Sequence, residues 1–166
     1  MTAIRIRDEE GGDREAVAAL VVSAFAGRPY ASGTEARIHA ALHDAGAATV
    51  ALVAEDTGRV VGQVIVSPVT LDGGPSGWHG LGPVAVLPER QGQGIGSGLI
   101  VEALTRLRGL GSGGCVLLGD GGYYGRFGFR PPRGLHAPGL PAEHLFVLPF
   151  GDEPTGAVGY HPAFGI

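Results

Sequence analysis

The sequence predicts a single domain of the α/β (α+β) class over residues 1–166, with elements in the order β-α-α-β-β-β-α-β-α-β. Three observations lead to this class. Ile4 and Ile6 alternate with arginines, which is the period of a strand with one buried face. Apolar residues recur at three- and four-residue spacing over 14–25, as in an amphipathic helix. Two β-branched runs then flank residues 56–58, which is a hairpin signal.

The remaining elements follow from turn and cap residues. Asp13 is placed to cap the first helix, and Thr34 opens a second helix that ends near Gly46. We interpret residues 72–77 as a flexible patch, and Pro88 stops the strand that follows it. The other predicted elements are strands at 50–55, 59–69, 81–87, 116–118 and 145–150, a helix at 94–110 and a helical turn at 123–127.

Composition restricts the class of protein further. A chain of 166 residues with 44% hydrophobic residues is long enough to bury one core. No run approaches the roughly 18 apolar residues of a membrane span, and the first ten residues are polar and mixed in charge, unlike a signal peptide. We therefore expect no membrane partner and a cytoplasmic location.

Charge and residue types exclude other functions. The net charge of −4 and the scattered arginines provide no basic stripe, so we expect no nucleic-acid partner. All 12 basic residues are arginine, and the absence of lysine excludes a Walker-type phosphate loop and Schiff-base catalysis. We interpret the single cysteine, Cys115, as a buried thiol rather than a nucleophile. His136, His144 and His161 lack metal-ligand spacing, and we expect no metal.

A glycine-rich turn is the strongest functional signal. Glycine occupies alternate positions 92, 94, 96 and 98, where a predicted strand meets a helix. Glycine lets a ligand approach the backbone, and the first N–H groups of a helix attract anions. A G-x-G-x-x-G dinucleotide motif fails in both registers, since its last position falls on Ser97 or Leu99, and only a variant with a small residue at Ser97 would keep that alternative. An alternative is that the glycines serve strand-to-helix packing alone.

The turn resembles that of a known family. Gln91-x-x-Gly94-x-Gly96, after the segment 84–89, is similar to the Q/R-x-x-G-x-G/A signature of GNAT N-acetyltransferases. The predicted element order resembles that family over most of the chain, with a looser match in the last thirty residues. The segment 119–129 is similar to the Y-x-x-x-G-F element of the family, with Tyr124 at its tyrosine, and most resembles small bacterial YhbS-like members.

The resemblance implies a fold, a cosubstrate and its binding residues. The fold would be a central mixed, mostly antiparallel sheet flanked by helices. The cosubstrate would be acetyl-CoA, with no metal, and the acetyl group would move to an amine of a small molecule or peptide by direct attack. The implied cofactor-binding residues are Val84, Ala85, Val86, Gln91, Gly92, Gln93, Gly94, Ile95, Gly96 and Ser97. The N–H group of Val86 would stabilise the oxyanion.

The catalytic side chains are less determined. Tyr124 is the candidate general acid toward the coenzyme thiolate, because a phenol is protonated at neutral pH. A stacked core tyrosine is the alternative. His79 and Glu35 are candidate general bases, and a water relay or the lack of a dedicated base is an equal alternative. Arg90 is expected either to pair with a cofactor phosphate or to be solvated.

Two other functions and several questions stay open. A GNAT-like acyl-CoA-binding sensor without turnover, or a protein that binds another phosphorylated ligand on the same helix start, would share the glycine turn. The acceptor amine, the acyl-chain preference and the oligomeric state do not follow from the sequence, although a late strand with an open edge is compatible with a homodimer. Glu35 and Asp44 together hint at a cationic amine.

Overall fold

The computed structural model describes residues 3–28 and 33–166. The strands are β1 Ile4–Asp8, β2 Val50–Asp56, β3 Arg59–Leu71, β4 Gly74–Val86, β5 Gly114–Leu118, β6 Leu135–His136, β7 Leu145–Pro149 and β8 Gly156–Gly159. The helices are α1 Arg14–Phe25, α2 Glu35–Asp44, α3 Ile95–Gly109 and α4 Gly121–Tyr124. The predicted order is confirmed, and the short strands β6 and β8 are additional to it.

The segment 72–77 corrects one prediction. It is not a flexible patch, because Asp72 and Gly73 form a tight hairpin turn and β4 begins at Gly74. Both turn residues have positive φ, 51° and 80°. Asp-Gly in this conformation matches the right-handed twist of the two flanking strands. Strand β4 is therefore 13 residues long and starts well before the predicted position 81.

The sheet is mixed and mostly antiparallel, as the resemblance implied. Its main path runs β1-β2-β3-β4-β5-β7, and β8 pairs with β3 and β6. Strands β4 and β5 are parallel, as are β6 and β8. Strand β7 ends the main path, and Val147 on it forms an isolated bridge with Arg130. A homodimer through this strand stays a prediction.

Contacts divide the chain into two compact units that are interleaved in sequence. The first comprises residues 1–66 and 82–103, and the second comprises 67–81 and 104–166. In the first, apolar residues of α1 pack on Val53 and Ala85. In the second, the core is built around Trp78, Val116 and Val147. The prediction of one domain over residues 1–166 stays a prediction.

An ion-pair network joins β1 to the start of α1 in the first unit. Both terminal nitrogens of the Arg7 guanidinium donate to the carboxylate of Asp13, at 2.8 and 3.0 Å, and Arg7 also donates to Glu55 at 3.3 Å. The N–H group of Glu10 donates to Asp13 at 2.7 Å. Asp13 precedes α1 as predicted, but within the described residues its side chain makes no cap bond to that helix. The Arg7 hydrogen bond lowers the pKa of Asp13.

Two predictions from composition concern the interior and the membrane. Cys115 is fully buried, and burial raises the pKa of its thiol, as expected of a core cysteine. Across residues 3–28 and 33–166, no helix has both the length and the apolar character needed to cross a bilayer.

Glu153 organises the irregular segment 130–135 in the second unit. Its side chain is only 6% exposed and pairs with Arg130 at 2.7 Å. One carboxylate oxygen accepts the N–H groups of Arg133, Gly134 and Leu135 at 2.6–3.0 Å. Burial alone would raise the pKa of Glu153, but these donors outweigh it and lower the pKa from 4.5 to about 2.

We expect Glu153→Gln to reduce the free energy of unfolding by about 1–3 kcal/mol at pH 7, because buried donors lose a charged acceptor. A depressed pKa stabilises the fold above the unfolded value of 4.5, and this contribution is lost as the pH falls toward 2. Urea unfolding of both proteins between pH 7 and pH 2.5 measures the difference. A gap that stayed constant over that range would contradict the assignment.

Candidate active site

The glycine turn connects β4 to α3 within the first unit. Residues 91–94 are exposed, whereas Ile95 is buried and fixes the start of α3. Gly92 and Gly94 have φ values of +77° and +82°, and a Cβ at either position would meet no atom within 4 Å. These two positions therefore need glycine for backbone conformation and leave the surface beside them open.

Helix α3 presents its first N–H groups at this turn. The first bond within the helix is donated by the N–H group of Gly98 to the carbonyl of Gly94 at 3.0 Å. The N–H groups of Ile95 and Gly96 come before it and have no carbonyl one turn earlier in the helix. They lie at the positive end of the helix dipole, so the turn has the donors and the field of an anion site.

Gln91 fixes the turn to the end of β4. Its side-chain amide donates to the carbonyl of Val86 at 3.1 Å. The amide oxygen of Gln91 accepts a bond from Arg28 at 2.9 Å. The first residue of the signature is thus a bridge between the turn, the strand end and the residues after α1.

Arg90 is held by an ion pair rather than solvated. Its guanidinium lies 3.0 Å from Asp56 at the end of β2, and the two side chains are 15% and 17% exposed. Arg90 also donates to the side chain of Gln93 at 3.1 Å. The hydroxyl of Thr57 and then Arg90 lower the pKa of Asp56. The turn is therefore bound to the first hairpin as well as to β4.

The end of β4 offers backbone donors at one edge. The N–H group of Leu87 donates to Val61 of β3 at 2.9 Å. Since N–H groups alternate between the two edges of a strand, those of Val84 and Val86 point to the edge opposite β3. The side chain of Ala85 instead packs into the core beside α1.

Pro83 and Gln63 lie where the last part of β4 is no longer paired with β5. Proline has no N–H group to donate to a ladder. In the described residues the β4–β5 ladder ends at Gly80, six residues before β4 itself ends at Val86. The buried side chain of Gln63 donates to the carbonyl of Pro83 at 3.0 Å.

Glycine also serves packing in this unit, so the packing interpretation holds for part of the glycine pattern. A Cβ at Gly98 would lie 3.2 Å from Ile6, and one at Gly62 would lie 3.0 Å from both Ile95 and Leu99. These positions let α3 approach the strands closely. Gly92 and Gly94 have no such neighbours, so packing does not account for them.

Tyr124 ends helix α4 in the second unit. Asp120 caps this helix by accepting the N–H group of Gly122 at 2.9 Å. The ring of Tyr124 packs edge-to-face on Tyr123 and Phe129, with centroids 5.0 and 6.1 Å away. The side chain is half-buried. A packed ring and a partly exposed residue are compatible with both interpretations of Tyr124.

His79 lies elsewhere in the second unit. It pairs with Cys115 near the start of β5, whereas α4 follows the end of that strand. Its Nδ1 lies 2.8 Å from the hydroxyl of Ser112. Burial lowers the pKa of His79, which favours the neutral imidazole.

Glu35 is the first residue of α2 in the first unit. Its carboxylate accepts the N–H group of Gly33 at 3.2 Å, a bond typical of a helix start. Asp44 is at the other end of the same helix, about 14 Å along its axis. Asp44 also pairs with Arg14 at 3.1 Å. The two acids therefore do not form the cluster from which a cationic amine was inferred.

One cluster was missed at the sequence level. Glu9, His39 and His43 bring three potential metal-ligating atoms within 4.8 Å of one another. The two histidines have H-x-x-x-H spacing on α2, a metal-ligand spacing that His136, His144 and His161 lack. Glu9 is far from them in sequence, and only the fold brings it to that helix face.

Comparison with known proteins assigns the family. The family described as "Acetyltransferase (GNAT) domain" matches residues 47–131. The uncharacterized N-acetyltransferase YhbS of Escherichia coli K12 is 38% identical over 110 residues, which are 66% of this chain and 66% of the relative. The chain therefore spans slightly less than two thirds of that curated relative.

Solved structures align over nearly the whole chain. A GNAT family acetyltransferase from Brucella melitensis, in complex with acetyl-CoA, is 45% identical with a TM-score of 0.88 and covers 98% of each chain. YhbS from Escherichia coli, in complex with CoA, is 32% identical with a TM-score of 0.88 and covers 100% of this chain and 94% of its own. With the glycine turn, the sheet order and these matches together, the chain belongs to the GNAT N-acetyltransferase family.

Proposed function

We propose that this chain transfers the acetyl group of acetyl-CoA to an amine by direct attack. The observation that carries the proposal is the exposed turn 91–94, with its positive-φ glycines and its place at the positive end of the α3 helix dipole. Membership of the family supports it, as do the relatives solved with acetyl-CoA and with CoA. The acceptor is an amine of a small molecule or a peptide.

Cofactor binding is assigned to two backbone segments of the first unit. The N–H groups of residues 91–97 hold the pyrophosphate, because residues 91–94 are exposed and the first N–H groups of α3 lie at the positive end of the helix dipole. Val84 and Val86 present N–H groups at the strand edge opposite β3 and pair with the amides of the pantetheine arm. Ala85 contributes backbone only, since its side chain is buried.

The reaction needs a bond formed, a bond broken and two proton transfers. The neutral amine nitrogen attacks the thioester carbonyl carbon, and the N–H group of Val86 stabilises the oxyanion that forms. Collapse of the tetrahedral intermediate breaks the C–S bond. Tyr124 gives its proton to the departing thiolate, and the amine loses a proton to a base or to water.

The general base stays open between His79, Glu35, a water relay and the lack of a dedicated base. His79 has a lowered pKa and a neutral ring, which suits a proton acceptor, but its Nδ1 is engaged with Ser112. Glu35 has a carboxylate engaged with the N–H group of Gly33. A water relay uses neither side chain.

The cytoplasmic location stays a prediction.

Calorimetric titration with acetyl-CoA, with CoA, ATP and NAD as controls, tests the proposal first. We expect micromolar binding of acetyl-CoA and CoA and none of the other two, followed by acetylation in a screen of amines. Tight CoA binding without any turnover would favour an acyl-CoA-binding module. A response to ATP or NAD without CoA binding would overturn the cofactor assignment.

We expect Gly94→Val to weaken acetyl-CoA binding by at least about tenfold. A β-branched residue at φ +82° strains the turn by roughly 1–2 kcal/mol and places bulk on the exposed ligand side. Titration calorimetry measures the affinity. Gly109→Val is the matched control, because Gly109 ends the same helix, has open space around it and lies 15 residues away. Equal affinity in the two variants would remove the turn from the cofactor site.

We expect Tyr124→Phe to lower kcat by about 10²–10⁴-fold and to leave the affinity for acetyl-CoA unchanged, because the ring still packs while the proton donor is lost. Steady-state kinetics with the best amine from the screen provide the measurement. Tyr123→Phe is the control, since its ring contacts that of Tyr124. Equal kcat values in the two variants would leave Tyr124 as a packing residue.

A further inference from the structure

We propose that Glu9, His39 and His43 form a binding site for a divalent transition-metal ion with the ligand preference of zinc. The site is built on the loop after β1 and on α2, apart from the glycine turn. It does not depend on the proposed acetyl transfer.

The three ligands converge from two rigid supports. His39 and His43 lie one turn apart on α2, where residues at i and i+4 share a face. Their rings are 4.6 Å apart. The backbone N–H group of Glu9 donates to Ala51 of β2 at 2.9 Å, which holds the residue at the sheet edge. Helix and sheet thus aim their side chains at one point.

The distances suit a small cation. The Nε2 atom of His39 lies 2.8 Å from one carboxylate oxygen of Glu9, and the Nε2 atom of His43 lies 3.2 Å from the other. Ligand atoms around tetrahedral zinc, at about 2.0–2.2 Å from the ion, are about 3.3–3.6 Å apart. All three ligating atoms are already within 4.8 Å of one another, so modest side-chain rotations accommodate an ion.

The three side chains of the cluster are largely buried, and within the described chain two of their polar atoms make no hydrogen bond, which favours a bound ligand. The carboxylate of Glu9 is 0% exposed and the side chain of His39 is 2% exposed. Among the described residues, Oε2 of Glu9 and Nε2 of His43 are buried without a hydrogen-bond partner, although they lie close together. Burying a carboxylate oxygen and an imidazole nitrogen without hydrogen bonds reduces the stability of the folded state. A cation between them would satisfy both.

The donor set selects the class of ion. Two imidazoles and one carboxylate suit zinc and its neighbours in the first transition row, whereas magnesium and calcium prefer oxygen alone. The side chain of His43 is 18% exposed, which leaves a route for the ion and a position for water. The ion would tie α2 to the loop after β1.

The test uses the untagged full chain, stripped of metal by a chelator and titrated with Co²⁺. We expect saturable, equimolar binding with the visible absorption of four-coordinate cobalt, displaced by Zn²⁺. We also expect the thermal midpoint to rise with zinc concentration, because an ion that binds only the folded state stabilises it. If no saturable absorption and no thermal shift are seen, the cluster does not bind a transition-metal ion and the proposal is overturned.

His43→Gln is the informative variant, because its partial exposure makes folding tolerant of the change. Loss of an outer-shell partner lowers metal affinity by roughly 10–100-fold. We expect loss of His43, a direct ligand, to lower the affinity for Co²⁺ by more than that. His136→Gln, at an exposed histidine of β6, is the control and should bind metal as the parent does. Undiminished binding by His43→Gln would overturn the site.

Two measurements keep the result separate from folding and from the proposed enzyme activity. The far-UV circular dichroism spectrum of metal-free His43→Gln should equal that of the metal-free parent, which reports an intact fold independently of metal and of acetyl-CoA. X-ray absorption of the parent zinc protein needs no variant and should show two imidazole ligands per ion. A spectrum with fewer than two imidazoles would contradict the assignment whether or not the variant folds.

Discussion

The turn between β4 and α3 depends on the ion pair between Arg90 and Asp56. The turn itself is exposed and rich in glycine, and such a backbone has many conformations to lose on folding. Arg90 binds the end of β2 on one side and Gln93 on the other, and Gln91 binds the carbonyl of Val86. The side chains of Arg90 and Gln91 thus fix a backbone in which Gly92 and Gly94 have no side chains to restrict it. The backbone is thereby ordered in advance, so the pyrophosphate proposed for this turn would meet donors that need little further ordering.

Glycine has two separate physical roles in the first unit. At Gly62 and Gly98 a side chain would collide with the packed faces of α3 and the strands, so the missing Cβ allows close approach. At Gly92 and Gly94 there is no collision, and the left-handed conformation is the requirement. A sequence of 31 glycines therefore cannot be interpreted as uniformly flexible. The neighbours of each glycine decide its role.

Much of the fold followed from local pattern. Helix α1 was predicted at its observed bounds, and the hairpin at residues 56–58 formed as expected, because periodicity and turn chemistry act over a few residues. The failures were of two kinds. The Asp72–Gly73 hairpin was overlooked although its dipeptide is a strong turn signal. Asp13 was assigned to the wrong bond because Arg7, six residues earlier, competes for its carboxylate.

By itself the sequence determined the element order, the glycine turn and the resemblance to GNAT enzymes, because each of these is carried by residues adjacent along the chain. Tertiary structure alone decided which partners those residues meet. Arg90 meets Asp56, Gln63 meets the carbonyl of Pro83, and Glu9 meets two histidines 30 or more positions away. Such contacts depend on how strands and helices pack, and side chains distant in sequence carry no local sign of their eventual neighbours.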